Sequence, residues 1–188
     1  MAYKNTIISL ATISILSLAV WTTLLSLHSG NKPVVQASTL PDAFMEDVHA
    51  LIMNKQGKPS MKIATPKLTH YPDNNTTLLT TPALTLYRQS PQPWYVNAEH
   101  ATALQGIDII DFKENVIIHH AADGNNPATI IKTETLRVHP EKQTAETNDF
   151  ITMTQPNLVV KATGMEADMN NGDIKLLSQA RGEYVPNM

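Results

Sequence analysis

The chain contains no cysteine in 188 residues. That excludes disulfides, thiolate metal sites, a cysteine nucleophile and a lipidated cysteine. It leaves the compartment open, because a disulfide-free body suits a bacterial periplasm as well as a cytosol. Glycine is scarce, with seven in all, and neither a phosphate-cradling glycine loop nor a Gly-x-Ser-x-Gly elbow occurs. Aromatic residues make up only 5% and the basic residues form no stripe in the sequence, which argues against a nucleic-acid partner. His-x-x-Glu-His and His-Glu-x-x-His spacings are missing too. His119 and His120 are adjacent, and neighbours in a strand point to opposite faces, so the two cannot readily share one ion. The remaining histidines are isolated, and Asp108, Asp111 and Glu114 read as turn and solvent-face residues. Nothing nominates a catalytic group, a metal or a cofactor, so the chain reads as a binding protein.

Charge is also missing from residues 5–31, which hold no Asp, Glu, Lys or Arg. Within them Ile7 to Leu27 is a run of 21 residues, 14 apolar and the rest Ser or Thr. A helix rising 1.5 Å per residue would reach roughly 30 Å over that run, the thickness of a bilayer's hydrocarbon core. A cleaved signal peptide is the competing reading, but its apolar region runs only about 7 to 15 residues and ends near a small-x-small site. Here the best such site, Val35-Gln36-Ala37, lies well beyond Leu27. The expectation is an uncleaved anchor with its stub over residues 1–30, a tether over 31–43 stiffened by Pro33 and Pro41, and one body over 44–188. Thirteen of the 14 Lys and Arg and all 17 acids follow the run, so that part carries about −4.

The body has no sustained helical periodicity from Phe44 onward. Short alternating runs dominate: Met61/Ile63, Leu84/Leu86, Trp94/Val96/Ala98, Ile107/Ile109, Val116/Ile118, Leu136/Val138, Leu158/Val160/Ala162 and Ile174/Leu176. Polar turns separate them, among them residues 54–57, 72–75, 123–126 and 170–173. Period-two runs between turn clusters predict an all-β, antiparallel sandwich or roll. A branched aliphatic followed two residues later by Ala or Thr recurs at Ile63, Val96, Ile131 and Val160, at intervals of 33, 35 and 29 residues. Stacked hairpin units of this kind make an elongated sheet pair with open ends. The large and small residues of each copy share a face, which leaves two readings open: an ordinary packed core, or an interior that is incompletely filled.

Several segments resemble the LptC family, the bitopic inner-membrane component of lipopolysaccharide export. They are the N-terminal run, Gly57 in the first turn, Ala-Thr-Pro-Lys-Leu-Thr-His-Tyr-Pro-Asp at 64–73, Thr-Pro-Ala-Leu-Thr-Leu-Tyr at 81–87 and Pro-Trp-Tyr-Val-Asn-Ala-Glu at 93–99. The stretches 131–140 and 145–149, Gly164 and Arg-Gly-Glu-Tyr at 181–184 complete the pattern. One departure is Lys113-Glu114-Asn115-Val116, where glycine would be expected before the valine; Asn tolerates positive φ, so the turn can survive. The resemblance implies a twisted, open β-jellyroll with an apolar groove for lipid acyl chains, an anchor against the LptBFG ABC transporter, and a C-terminal edge that joins LptA. It implies a transporter contact at Gly57 and an LptA contact at Gly164, Ile174, Leu176 and Tyr184. The alternating pattern nominates Ile63, Leu84, Leu86, Val96, Ile109, Ile118, Ile131, Val160 and Leu176 as groove-lining. The expected function is therefore non-enzymatic handover of lipopolysaccharide from the transporter to LptA, by a single-pass inner-membrane protein whose bulk is periplasmic. Two alternatives stand beside it: an anchored scaffold with a closed core and no cargo, and an anchored enzyme with a cleft of convergent polar groups.

Overall fold

The computed structural model describes residues 40–88, 92–124 and 126–184; the expected anchor and most of the tether lie outside them. Eleven strands, all antiparallel, make up the fold: β1 Ala43–Met53, β2 Pro59–Tyr71, β3 Thr76–Thr80, β4 Ala83–Leu86, β5 Trp94–Asn97, β6 His100–Leu104, β7 Ile109–His120, β8 Thr129–His139, β9 Thr144–Gln155, β10 Leu158–Asp168 and β11 Asp173–Tyr184. The first begins at Ala43, just inside the expected tether. Among the described residues no helix is long and apolar enough to cross a membrane.

The pairing is a simple meander of long, bent strands. β3 and β4 together flank β2, with β3 on residues 67–71 and β4 on 61–64. In the same way β6 pairs with the first half of β7 and β5 with its second half. From β7 onward each strand pairs with the next as far as β11. Every strand, whole or in two pieces, therefore contributes one half to each of two sheets. Sheet A holds the halves around residues 43–46, 67–71, 76–80, 100–104, 109–113, 135–139, 144–147, 165–168 and 173–176. Sheet B holds those around 48–53, 59–65, 83–86, 94–97, 116–120, 129–133, 151–155, 158–162 and 181–184.

The bends lie on one line across the strands, and the backbone there departs from extended geometry. Asp47, Thr81, Glu114, Asn115, Gly164 and Gln179 all have positive φ. The ladder slips between Lys113 and Val116, Lys132 and Arg137, and Thr163 and Met165. Asn115 does take positive φ in place of the expected glycine, and Glu114 joins it. Backbone groups freed by a bulge need other partners. Thr65 Oγ1 donates to the carbonyls of Thr80 and Lys67 at 2.6 and 2.9 Å. Thr135 Oγ1 donates to Asp149 at 2.6 Å, and Ser178 Oγ donates to the Thr163 carbonyl at 3.0 Å. Asn115 Nδ2 donates to Glu99. This polar seam joins the two sheets along one side.

Between the sheets lies a single apolar core. It draws on both, with Ala101, Ile110, Phe112, Leu136, Ala145 and Met165 from sheet A and Met61, Leu84, Val96, Ile118, Ile131 and Ile151 from sheet B. Two expectations need correction. Ile109 is only half-buried, while Ile110 and Phe112 point inward; two apolar neighbours made the period ambiguous, and β7 settles on the parity that buries the phenylalanine. Gly164 does not begin a hairpin. It sits buried within β10 at the bend, with φ +78, and a Cβ there would meet the Leu177 side chain at 2.9 Å.

Candidate functional site: the inner face and its latch

The inner face runs the length of the stack. Of the nine residues nominated for it, Ile63, Leu84, Leu86, Val96, Ile118, Ile131 and Val160 are buried, the last at 8% exposure and Val96 at 0%. Leu176 packs against this core and is half-buried. Ile109 faces the other way. Both ends of the row stay partly open, because β1 pairs only with β2 and β11 only with β10. At one end Val48, Ala50 and Ile52 lie half-buried on the inward parity of β1. At the other, Ile174 and Leu176 do so on β11, and Tyr184 opposite Leu158 is 68% exposed.

The side opposite the seam is closed by a buried ionic latch. Arg88, just past β4, donates from Nη2 to Asp123 Oδ2 at 3.0 Å, and the two side chains are 1% and 2% exposed. The same nitrogen donates to His120 Nε2 at 2.8 Å. Nη1 donates across to the Met169 carbonyl at 2.7 Å, in the β10–β11 turn that belongs to sheet A. Trp94 completes the cluster, its ring stacked on His120 with centroids 4.6 Å apart and the Arg88 guanidinium 5.6 Å away. Asp123 also caps its own loop by accepting from the Asn126 backbone at 2.9 Å. Nearby, Gln143 Nε2 donates to the Tyr87 carbonyl at 3.2 Å. The tips of sheet B are thus tied to the turns of sheet A.

Electrostatics follow from that burial. Because Nε2 of His120 accepts from a guanidinium, the ring is neutral, and burial followed by the Arg88 charge holds its pKa below the ordinary 6.5. The Trp94 Nε1 is buried without a hydrogen-bond partner. Unpaired polar atoms of this kind are costly and mark a place where packing is not optimal. Beside the latch a hollow of about 690 Å³ is lined by Ile52, Met61, Tyr87, Arg88, Pro140 and other residues of the sheet tips. Lys55 and Lys58, in the turn that holds Gly57, stand on its rim. Gly57 has φ +73, and a Cβ there would meet nothing within 4 Å.

The arrangement can hold apolar matter and can be clasped shut. Among the described residues the buried cluster of convergent polar groups is sealed from solvent. Glu99, His100 and Glu114 bring ligand atoms within 4.8 Å of one another, but all three are exposed bend residues. The latch is not read from the sequence: His120 is there set aside only as a metal ligand and Asp123 falls in a polar turn, whereas both side chains are buried. The signal was there for His120, which shares the parity of Ile118.

Comparison with known proteins agrees with this geometry. The crystal structure of LptH, described as the LptA-homologous periplasmic component of the conserved lipopolysaccharide transport device from Pseudomonas aeruginosa, superposes with a TM-score of 0.53 at 6% identity. The match covers 67% of this chain and 95% of that one, and shows a shared fold. No curated protein matches. The family described as "LptC: Lipopolysaccharide-assembly, LptC-related" matches residues 8–185, nearly the whole chain. Its members are transport components and not enzymes. On that match, the chain belongs to the LptC family of lipopolysaccharide-assembly proteins.

Proposed function

We propose that this chain is an inner-membrane-anchored, periplasmic carrier that takes lipopolysaccharide from the LptBFG transporter and hands it to LptA. One observation carries the reading: the inward apolar row continues out to both ends of the stack, onto strands paired on one side only. An unpaired edge accepts a further strand by backbone hydrogen bonding, so a neighbouring sheet would extend the same apolar face. Each methylene taken from water contributes about 0.8 kcal/mol, enough for a chained face to hold several acyl tails while the sugars stay wet. The energy must come from a partner, because no nucleotide motif occurs in the chain. In this reading β11, through Ile174, Leu176 and Tyr184, meets LptA, and the Gly57 turn meets the transporter.

A second reading keeps the chain as an anchored scaffold without cargo. Its support is the packed interior: Val96, Val116, Val138 and Ile151 are all 0% exposed, so no acyl chain fits unless the sheets separate. Photocrosslinking in cells decides between the two. A photoreactive residue at Val96 or Ile131 should label lipopolysaccharide, while one at outward-facing Asn97 or Lys132 should not. Labelling absent from both parities would favour the scaffold, and equal labelling of both would reject the inner face as the carrier surface.

A further inference from the structure

We infer that the outer face of sheet B docks on an anionic phospholipid membrane; this rests on the anchored reading above. Two cross-strand rows define the face. One runs through Lys62, Thr85, Tyr95, His119, Ile130, Thr154, Val159 and Glu183, the last being the one acid of the two rows. The other runs through Ile117, Lys132, Thr152, Lys161 and Arg181. Lys62, Lys132, Lys161 and Arg181 are all exposed, and among the described residues none has an ion-pair partner. Lys161 and Arg181 stand directly opposite each other. Like charges in that position destabilise a sheet, so folding alone does not account for them.

The outer face of sheet A shows what the same fold does when charges serve the fold. There Asp111, Arg137, Glu146, Glu166 and Lys175 follow one another along one row with charges of both signs; Glu146 stands opposite Glu166, but each of the two also has a cation as its other cross-strand neighbour, Arg137 and Lys175. Arg137 holds Asp111 at 2.7 Å and Lys175 holds Glu166 at 3.0 Å. Sheet B has no such pairing. Edge protection by lysine explains Arg181 on β11, but not Lys62 and Lys132 on interior strands. The protein as a whole is acidic, at −3, so the cations form a local field and not a general one. Between them Tyr95, Ile117 and Ile130 remain 36%, 38% and 39% exposed. Lysines and an arginine interleaved with half-exposed tyrosine and isoleucine match the chemistry of an anionic bilayer interface. A body tethered a few residues from an anchor would meet that surface at high effective concentration.

The absence of cysteine makes the test direct. Full-length protein carrying Thr154→Cys on this face, or Thr80→Cys on the opposite one, is labelled with a fluorophore and placed in nanodiscs bearing a headgroup quencher. Discs of phosphatidylcholine alone are compared with discs containing phosphatidylglycerol. The Thr154 label should be quenched strongly only in anionic discs. That quenching should fall to the neutral-disc level with Lys161→Glu/Arg181→Glu, or in about 1 M salt, where charges are screened within about 3 Å. The Thr80 label should not respond. Equal quenching of both labels, or indifference to phosphatidylglycerol, overturns the proposal. So does salt-sensitive self-association through this face in neutral discs, which would assign it to a second copy of the chain. Failure to enter discs at all would sink the anchored reading instead. Flotation with vesicles of the same two compositions then tests the face by itself, and lack of anionic-selective binding overturns it.

Discussion

Removing the Asp123 carboxylate should destabilise the body more than any other single change at the closed side. Arg88 would stay buried without its counter-ion, and breaking a buried pair costs about 3–5 kcal/mol. Arg88 keeps the Met169 carbonyl at 2.7 Å and the His120 nitrogen at 2.8 Å, which pulls the value toward the lower end. Asp123→Ala also removes the acceptor for the Asn126 backbone at 2.9 Å, worth about 1 kcal/mol as a net hydrogen bond. Together these give about 4 kcal/mol. At roughly 2–4 °C per kcal/mol for a domain of this size, the thermal midpoint should fall by about 8–16 °C. The double variant Arg88→Met/Asp123→Leu should recover most of that loss, because well-packed apolar replacements for a buried pair are often neutral. The assay is thermal unfolding by circular dichroism, with lipopolysaccharide crosslinking at Val96 as a second readout. A midpoint within about 2 °C of wild type for Asp123→Ala, or a double variant no better than the single, would refute the latch as a closing element. If the latch also governs access, Asp123→Ala should crosslink more at Val96 than wild type does.

Further outcomes follow from the same geometry. His120 has its pKa held below 6.5 by burial and by Arg88, so the unfolded chain takes up that proton first. Its contribution is complete above about pH 6.5 and shrinks as pH falls below it, so His120→Gln should lessen the drop in thermal midpoint between pH 7 and 5.5. His70 works in the opposite sense: its hydrogen bonds to Asp42 and then Asn75 raise its pKa above 6.5, so its contribution is complete below pH 6.5 and fades as pH rises through the raised value. Gly57→Val meets open space and only a backbone penalty of about 1–3 kcal/mol; the body should fold while co-purification with the transporter weakens, and unchanged co-purification removes Gly57 from that contact. Gly164→Arg drives a side chain into Leu177 and should disturb the β10–β11 pairing itself, so Tyr184→Ser is the cleaner probe of the LptA edge. A Tyr184→Ser protein that pulls down LptA as wild type does would place the junction elsewhere.

Much of the fold was legible because period-two alternation is a local signal. Met61/Ile63, Leu84/Leu86 and Val116/Ile118 all point inward as their spacing requires. Of the bends, the one at Asn115 was legible as a turn that tolerates positive φ; the others were not. They rest on positive φ at Asp47 and Gln179, residue types that carry no left-handed preference as strong as that of glycine. Ile109 failed for a related reason: with Ile107, Ile109 and Ile110 all apolar, either parity satisfies the pattern, and Phe112 decides it through packing. The latch was hidden by distance. Arg88 lies 32 residues from His120 and 35 from Asp123, and only the folded meander brings it to the buried point where His120, at the end of β7, meets Asp123 three residues on.

The packed core and the open ends can be reconciled by asking where the two sheets are free to part. Along the seam they cannot, since every long strand crosses from one sheet to the other there and hydroxyl groups hold the bends. The far side is different. It is closed by side-chain and loop contacts that cross no continuous strand: Arg88 to Met169, Gln143 to Tyr87, and Asn126 against Gly172. A buried ion pair loses most of its Coulomb energy once water raises the local dielectric. The side opposite the seam, held by the Arg88–Asp123 pair and a few loop contacts, is therefore the one along which the sheets can part. The buried, unpartnered Trp94 Nε1 lies in that cluster and would gain a hydrogen bond to water on opening, which lowers the free energy needed. In the proposed carrier, cargo would therefore be expected to enter along the latch side and not through either end, where the inward row is already half-covered by Ile52 and Ile174; a crosslink at Val96 that does not rise in Asp123→Ala would refute that route.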